Sequence, residues 1–128
     1  MSVDKNMNVL IVDDYKTMLR IIGNLLKQLG FSNVDEATDG SMALTMFKSK
    51  TYGLVISDWN MEPMSGLDLL KSVRALPVNG KVPFIMVTAE SKTENVIAAK
   101  QAGVSNYIVK PFNAETLKAK MASVLGDF

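Results

Sequence analysis

Leu54-Val55-Ile56-Ser57-Asp58-Trp59-Asn60 decides how this chain reads. An apolar run rich in β-formers ends in one carboxylate, and a turn begins at once with Met61-Glu62-Pro63. A short continuous apolar run bounded by turn residues is the pattern of a strand covered on both faces. Such a strand delivers its last side chain, here Asp58, to the rim of a sheet.

The same grammar recurs on both sides of it. Asn8 to Val12 is an apolar run closed by Asp13-Asp14, and reads as a central strand. Val34 to Ala37 is shorter and more polar, as an edge strand should be. Val82 to Thr88 carries Pro83 at its start, where a strand tolerates it. Tyr107 to Val109 is closed by Lys110-Pro111. Between these runs the spacing becomes helical. Met18, Ile22, Leu25, Leu26 and Leu29 share a face from Lys16 to Leu29, with Gly30 as the stop. Asp39 caps a second helix through about Lys50, and Ser65 opens a third through about Ala75. Ser91-Lys92-Thr93-Glu94 is a capping box for a fourth that ends at Gly103. Asn113 caps a fifth with Leu117, Met121, Val124 and Leu125 on its apolar face.

Strand and helix alternate five times, which predicts an α/β fold: a parallel sheet covered by helices on both faces. Right-handed crossovers place every strand's C-terminal end on one edge, where open α/β sheets bind ligands. Asp13 and Asp14, Asp58, Thr88 and Lys110 are then expected to meet there. Each alone has an ordinary structural explanation. An acid pair can start a loop, a threonine is a normal strand residue, and Lys-Pro can mark only a turn. Four strand ends with complementary groups point to a site.

The composition narrows its chemistry. The 128 residues, one domain by length, carry 14 basic and 13 acidic side chains, so no charge excess argues for nucleic acid. No apolar run approaches a membrane span, and the N-terminus does not read as a secretion signal. Cysteine and histidine are absent, which excludes disulfides, thiol chemistry, histidine bases and most transition-metal sites. Clustered carboxylates repel, and Lys110 or a hard cation such as Mg²⁺ can neutralise them. That set suits phosphoryl transfer to an aspartate, with cationic groups stabilising the transferring oxygens.

Val-Asp-Asp at 12–14, Ile-Ser-Asp-Trp-Asn-Met at 56–61, Met-Val-Thr-Ala-Glu at 86–90 and Val-Lys-Pro-Phe at 109–112 resemble the receiver domains of two-component response regulators, in particular stand-alone chemotaxis members. The resemblance covers nearly the whole chain. It implies a single receiver domain over 1–128, a doubly wound five-stranded flavodoxin-like (βα)5 fold, and strand order 2-1-3-4-5. It implies Asp58 as phosphoacceptor, and Mg²⁺ held by Asp14, Asp58 and the Asn60 carbonyl, with Asp13 acting through water. Lys110 and Thr88 would contact the phosphoryl group, aided by backbone N–H groups near Trp59, Asn60 and Ala89. It also implies a cis Lys110–Pro111 bond and a switch in which Thr88 moves and Tyr107 turns inward. The implied partners are a histidine kinase as donor and the flagellar motor switch or another protein as target, with a phosphatase as a further one. The implied setting is a cytoplasmic monomer that touches neither membrane nor nucleic acid, and the implied class is a signalling protein that catalyses only its own phosphorylation and dephosphorylation. Lys92, Tyr107 and Lys120 are the implied contact surface. Glu62 and Ser65 depart from the family's usual loop after the phosphoacceptor.

Three other functions fit parts of the pattern. A phosphorelay shuttle or phosphate sink would use the same chemistry with another partner. A Mg²⁺-dependent phosphohydrolase would want a second acid two residues after Asp58, where Asn60 stands. A flavin carrier would want a hydroxyl- or glycine-rich phosphate loop where this chain has acids.

Overall fold

Five parallel strands alternate with five helices: β1 (Val9–Val12), α1 (Lys16–Gln28), β2 (Val34–Ala37), α2 (Gly40–Ser49), β3 (Leu54–Asp58), α3 (Gly66–Arg74), β4 (Phe84–Thr88), α4 (Thr93–Gln101), β5 (Asn106–Val109) and α5 (Ala114–Leu125). The structure is a computed structural model describing residues 4–62, 64–88, 93–126 and 128, without the side chains of 93 and 94. The strands form one sheet in the order β2-β1-β3-β4-β5, the doubly wound arrangement expected of the family. All neighbouring pairs are parallel.

Strand alternation sorts the core into two layers. Val9, Ile11, Leu54, Ile56, Ile85, Val87 and Ile108 face the layer closed by α1 and α5. Leu10, Val12, Val55, Phe84 and Met86 face the layer closed by α2 and α3. β1, β3 and β4 read as nearly unbroken apolar runs because both their faces are covered, whereas β2 at the edge is more polar.

The helices stop and start where the side chains dictate. Asp39 accepts the Met42 N–H at 2.8 Å, Ser65 that of Asp68 at 3.1 Å, and Asn113 that of Thr116 at 2.9 Å. Each cap is worth about 1 kcal/mol. Gly30 and Gly103 follow α1 and α4 with φ of 99° and 93°, a conformation that favours glycine. The Ser91 cap expected for α4 lies outside the described residues.

Two expectations shift. β4 begins at Phe84 rather than Val82, because Pro83 has no N–H to donate, although its carbonyl accepts from Val55 at 3.0 Å. The buried face of α1 is Leu19, Ile22 and Leu26, while Met18, Leu25 and Leu29 flank it half-buried.

Candidate functional site

Register brings the expected residues together. Val12 pairs with Ser57 and Asp58 with Val87, so Asp13, one step past β1, lies beside Asp58. Thr88 pairs with Val109, which leaves Lys110 one step past β5. Alternation then divides the strand ends. Asp13, Asp58 and Lys110 continue the parity of Ile11, Ile56 and Ile108, toward α1 and α5. Thr88 and Tyr107 continue the other parity, toward α4.

On the first side, Lys110 Nζ lies 3.0 Å from Asp58 Oδ1 and 3.5 Å from Asp13 Oδ2. Asp13, Asp14 and Asp58 each offer a carboxylate oxygen within 4.8 Å of the others. Asp13 is 1% exposed and Asp58 7%, whereas Asp14 is open to solvent. The Tyr15 N–H donates to Asp13 Oδ1 at 2.9 Å and fixes that carboxylate.

Electrostatics follow from this burial. Desolvation, and then the charge of Asp58, push the Asp13 carboxyl above its ordinary value, against the Tyr15 N–H and Lys110. Desolvation also raises Asp58, with Asp14 adding to the effect and Lys110 opposing it. Burial alone would lower the Lys110 ammonium, but the hydrogen bond and charge of Asp58, then those of Asp13, leave it raised. One ammonium faces three carboxylates, so the pocket has an excess of negative charge for a cation to neutralise.

The donor set fits a small hard cation. Three carboxylates whose oxygens lie within 4.8 Å of one another would supply the all-oxygen, negatively charged ligands that such a cation prefers. Asn60 is exposed, lines a shallow pocket with Asp14, Met61 and Glu62, and its carbonyl accepts no hydrogen bond among the described residues.

On the other side, Trp59, Met86, Thr88, Asn95, Val96, Ala99 and Tyr107 enclose a cavity of about 10 Å³. Tyr107 is half-buried, with Lys120 Nζ 5.2 Å from its ring centroid. The Trp59 N–H donates to the Val87 carbonyl at 2.9 Å while also facing the Asp58 carboxylate. Lys110–Pro111 is cis, and the Lys110 N–H donates to the Thr88 carbonyl at 2.8 Å. Ala89 and Lys92 lie outside the described residues.

Two supports of Asp58 escaped the sequence reading. Ser57, fully buried, donates its hydroxyl to the Asp58 carbonyl at 3.0 Å. A Cβ on Gly66 would lie 2.2 Å from that same carbonyl oxygen, so only glycine lets α3 start there. A serine inside an apolar strand was the available signal for the first. The second is a tertiary contact with no local signal.

A sheet of this order, with an acid pair, a lone aspartate and a lysine at its carboxyl edge, defines a receiver. The model of the response regulator receiver domain matches residues 9–122, and the chain belongs to that family of signalling proteins. It is similar to the chemotaxis protein CheY-3 of Vibrio cholerae serotype O1, with 52% identity over 122 residues, 95% of this chain and 94% of that protein. It is also 51% identical to the chemotaxis protein CheY of Pseudomonas aeruginosa over 118 residues, 92% of this chain and 95% of that protein. Among solved structures, the chemotaxis response regulator CheY4 of Vibrio cholerae matches with a TM-score of 0.87 and 33% identity, covering 94% of this chain and 99% of that one. Among the described residues no helix is long and apolar enough to cross a membrane.

Proposed function

We propose that this chain works as one receiver unit that accepts a phosphoryl group on Asp58 from a phosphohistidine of a chemotaxis-type kinase. The supporting observation is the 3.0 Å Lys110–Asp58 ion pair inside the cluster of three acids. An Asp58 oxygen attacks phosphorus as the bond to the imidazole nitrogen breaks, and the electron pair leaves with the imidazole. Asp13, Asp14, Asp58 and the Asn60 carbonyl hold Mg²⁺, Asp13 through water. Bound there, the ion lowers the negative charge that the incoming phosphate must meet. Lys110 neutralises a phosphoryl oxygen, and the Thr88 hydroxyl with the amides at Trp59, Asn60 and Ala89 orients the others. The chain catalyses its own phosphorylation and dephosphorylation and no other turnover.

The signal leaves through Thr88 and Tyr107. The cavity between them, about 10 Å³, holds about one water at most. The Tyr107 ring enters only when Thr88 moves toward the phosphoryl group, so the two positions are coupled. Tyr107, Lys120 and Lys92 then present the output surface to a protein target, the flagellar motor switch of a cytoplasmic chemotaxis system, and to a phosphatase. The protein acts as a monomer. The phosphorelay-shuttle reading keeps this site and changes only the partner.

The test is phosphotransfer from a phosphorylated kinase, with Mg²⁺ and with chelator, to the wild type and to Asp58→Asn. Labelling is expected only for the wild type with Mg²⁺. Undiminished labelling of the variant would refute the assignment. Capture of a histidine phosphotransferase by the phosphorylated form, without motor-switch protein, would favour the shuttle.

A further inference from the structure

β2 ends the sheet, and its outer edge is open. The Val9 N–H donates to the Asn33 carbonyl at 2.8 Å and the Asp13 N–H to that of Ala37 at 3.1 Å. Backbone groups alternate along a parallel strand, so residues 33, 35 and 37 turn inward to β1. Val34 and Glu36 therefore turn their N–H and C=O groups outward.

Beside this edge runs a groove of about 680 Å³ between β2 and α1. Lys16, Arg20 and Lys27 line its helical wall, and none makes an ion pair among the described residues. Glu36 is the one acid in the lining, placed opposite Gly23, whose missing side chain keeps the groove open there. Edge strands commonly carry a charge that discourages pairing. Here that charge is outnumbered by three free cations, which reverses the sign of the groove.

We infer that the β2 edge and the basic wall of α1 form a docking groove for an acidic, extended peptide segment of a partner protein. The dimensions set its pattern. Arg20 and Lys27 are separated along the helix axis by roughly 10 Å at about 1.5 Å per residue. Two side chains on one face of a strand, four residues apart, span roughly 13 Å. Long Arg and Lys side chains cover that difference. Acids at the first and fifth positions then meet Arg20 and Lys27, while Lys16 extends the positive field beyond. The central position faces Glu36 and takes a hydrogen-bond donor such as threonine. The backbone between them completes the ladder on Val34 and Glu36, the strand-addition mode of peptide recognition. This groove lies on the opposite edge of the sheet from β5 and leaves the proposed output surface free.

The test uses a fluorescein-labelled peptide, Gly-Glu-Val-Thr-Val-Glu-Gly, and its counterpart with lysine in place of glutamate. Anisotropy is expected to show the acidic probe binding about tenfold more tightly than the lysine probe, with the advantage shrinking as salt rises. Arg20→Glu and Lys27→Glu should each weaken the acidic probe about fivefold or more, and Lys81→Glu, outside the groove, should leave it unchanged. In amide NMR spectra of the full chain, the N–H signals of Val34 and Glu36 should shift most. Equal affinity for the two probes would overturn the inference. So would shifts centred away from β2, or sedimentation as a dimer sealed through this edge. Neither probe carries phosphate, so the outcome is independent of labelling at Asp58.

Discussion

Replacing Asp13 by Asn should stabilise the metal-free protein. Asn keeps an oxygen for the Tyr15 N–H and removes one buried charge. The Asp58 oxygen within 4.8 Å repels that charge by roughly 3.5 kcal/mol at an effective dielectric of about 20, while Asp14, open to solvent, is screened and adds little. The lost attraction to Lys110, at 3.5 Å, is roughly 4.7 kcal/mol on the same scale. Those two charge effects differ by about 1 kcal/mol against the variant, and the desolvation of a carboxylate 1% exposed, the largest influence on Asp13, outweighs that difference. The midpoint should rise, by about 4 °C for each 1 kcal/mol of net gain in a domain of this size. Circular dichroism melts in chelator at neutral pH measure it. The pH dependence fixes the sign independently. Asp13 is raised in the folded state, so that state binds its proton more tightly than the unfolded chain. Wild-type stability from this group therefore falls as pH rises from the ordinary value of 3.8 through the folded one, and the variant escapes that fall. The gap between the two proteins should widen toward neutral pH and close in acid. With Mg²⁺ at a hundred times its dissociation constant the wild type should recover about 2.7 kcal/mol, and the variant less. A variant that melts at or below the wild type in chelator would refute the picture of an electrostatically strained pocket.

Lys110→Ala leaves the acids without their ammonium and should lower the urea-derived stability in chelator by about 3–5 kcal/mol, with partial rescue by Mg²⁺. The same variant should keep some labelling but lose labelling-dependent partner binding; normal binding would remove Lys110 from the switch. Gly66→Ala should cost about 1–3 kcal/mol and slow labelling, because its Cβ meets the Asp58 carbonyl, and a melt together with a labelling time course checks both. Gly23→Ala, where the nearest atoms are at 3.9 and 4.0 Å, should stabilise α1 by about 0.5–1 kcal/mol in the same melt. Arg74 donates to the carbonyls of Gly80, Val82 and Gly103. Arg74→Met should cost about 3 kcal/mol or more, and hydrogen exchange should quicken first in the segment joining α4 to β5.

Much of this protein was legible from order along the chain. Apolar runs of four or five residues, broken by helical spacing, specify a parallel α/β sheet because only strands covered on both faces can be apolar throughout. Asp39, Ser65 and Asn113 were readable as caps because capping is local chemistry, completed within three residues. Handedness alone then placed Asp13, Asp58, Thr88 and Lys110 on one edge. The start of β4 and the true face of α1 were less legible. Pairing and packing partners, absent from local spacing, decide them.

Linear order alone settles which chemical groups stand at the strand ends, since each is simply a residue at or just past the end of an apolar run. Tertiary structure decided how those groups are shared out. Inter-strand register set Asp13 beside Asp58, and two-residue alternation sent Lys110 to the acids but Thr88 and Tyr107 to the α4 side. It also decided that α3 presses Gly66 against the Asp58 carbonyl, and that the cations of α1 line an open edge. These are relations between segments distant in sequence. Burial and dense packing fix them, and no local stretch of the chain encodes them.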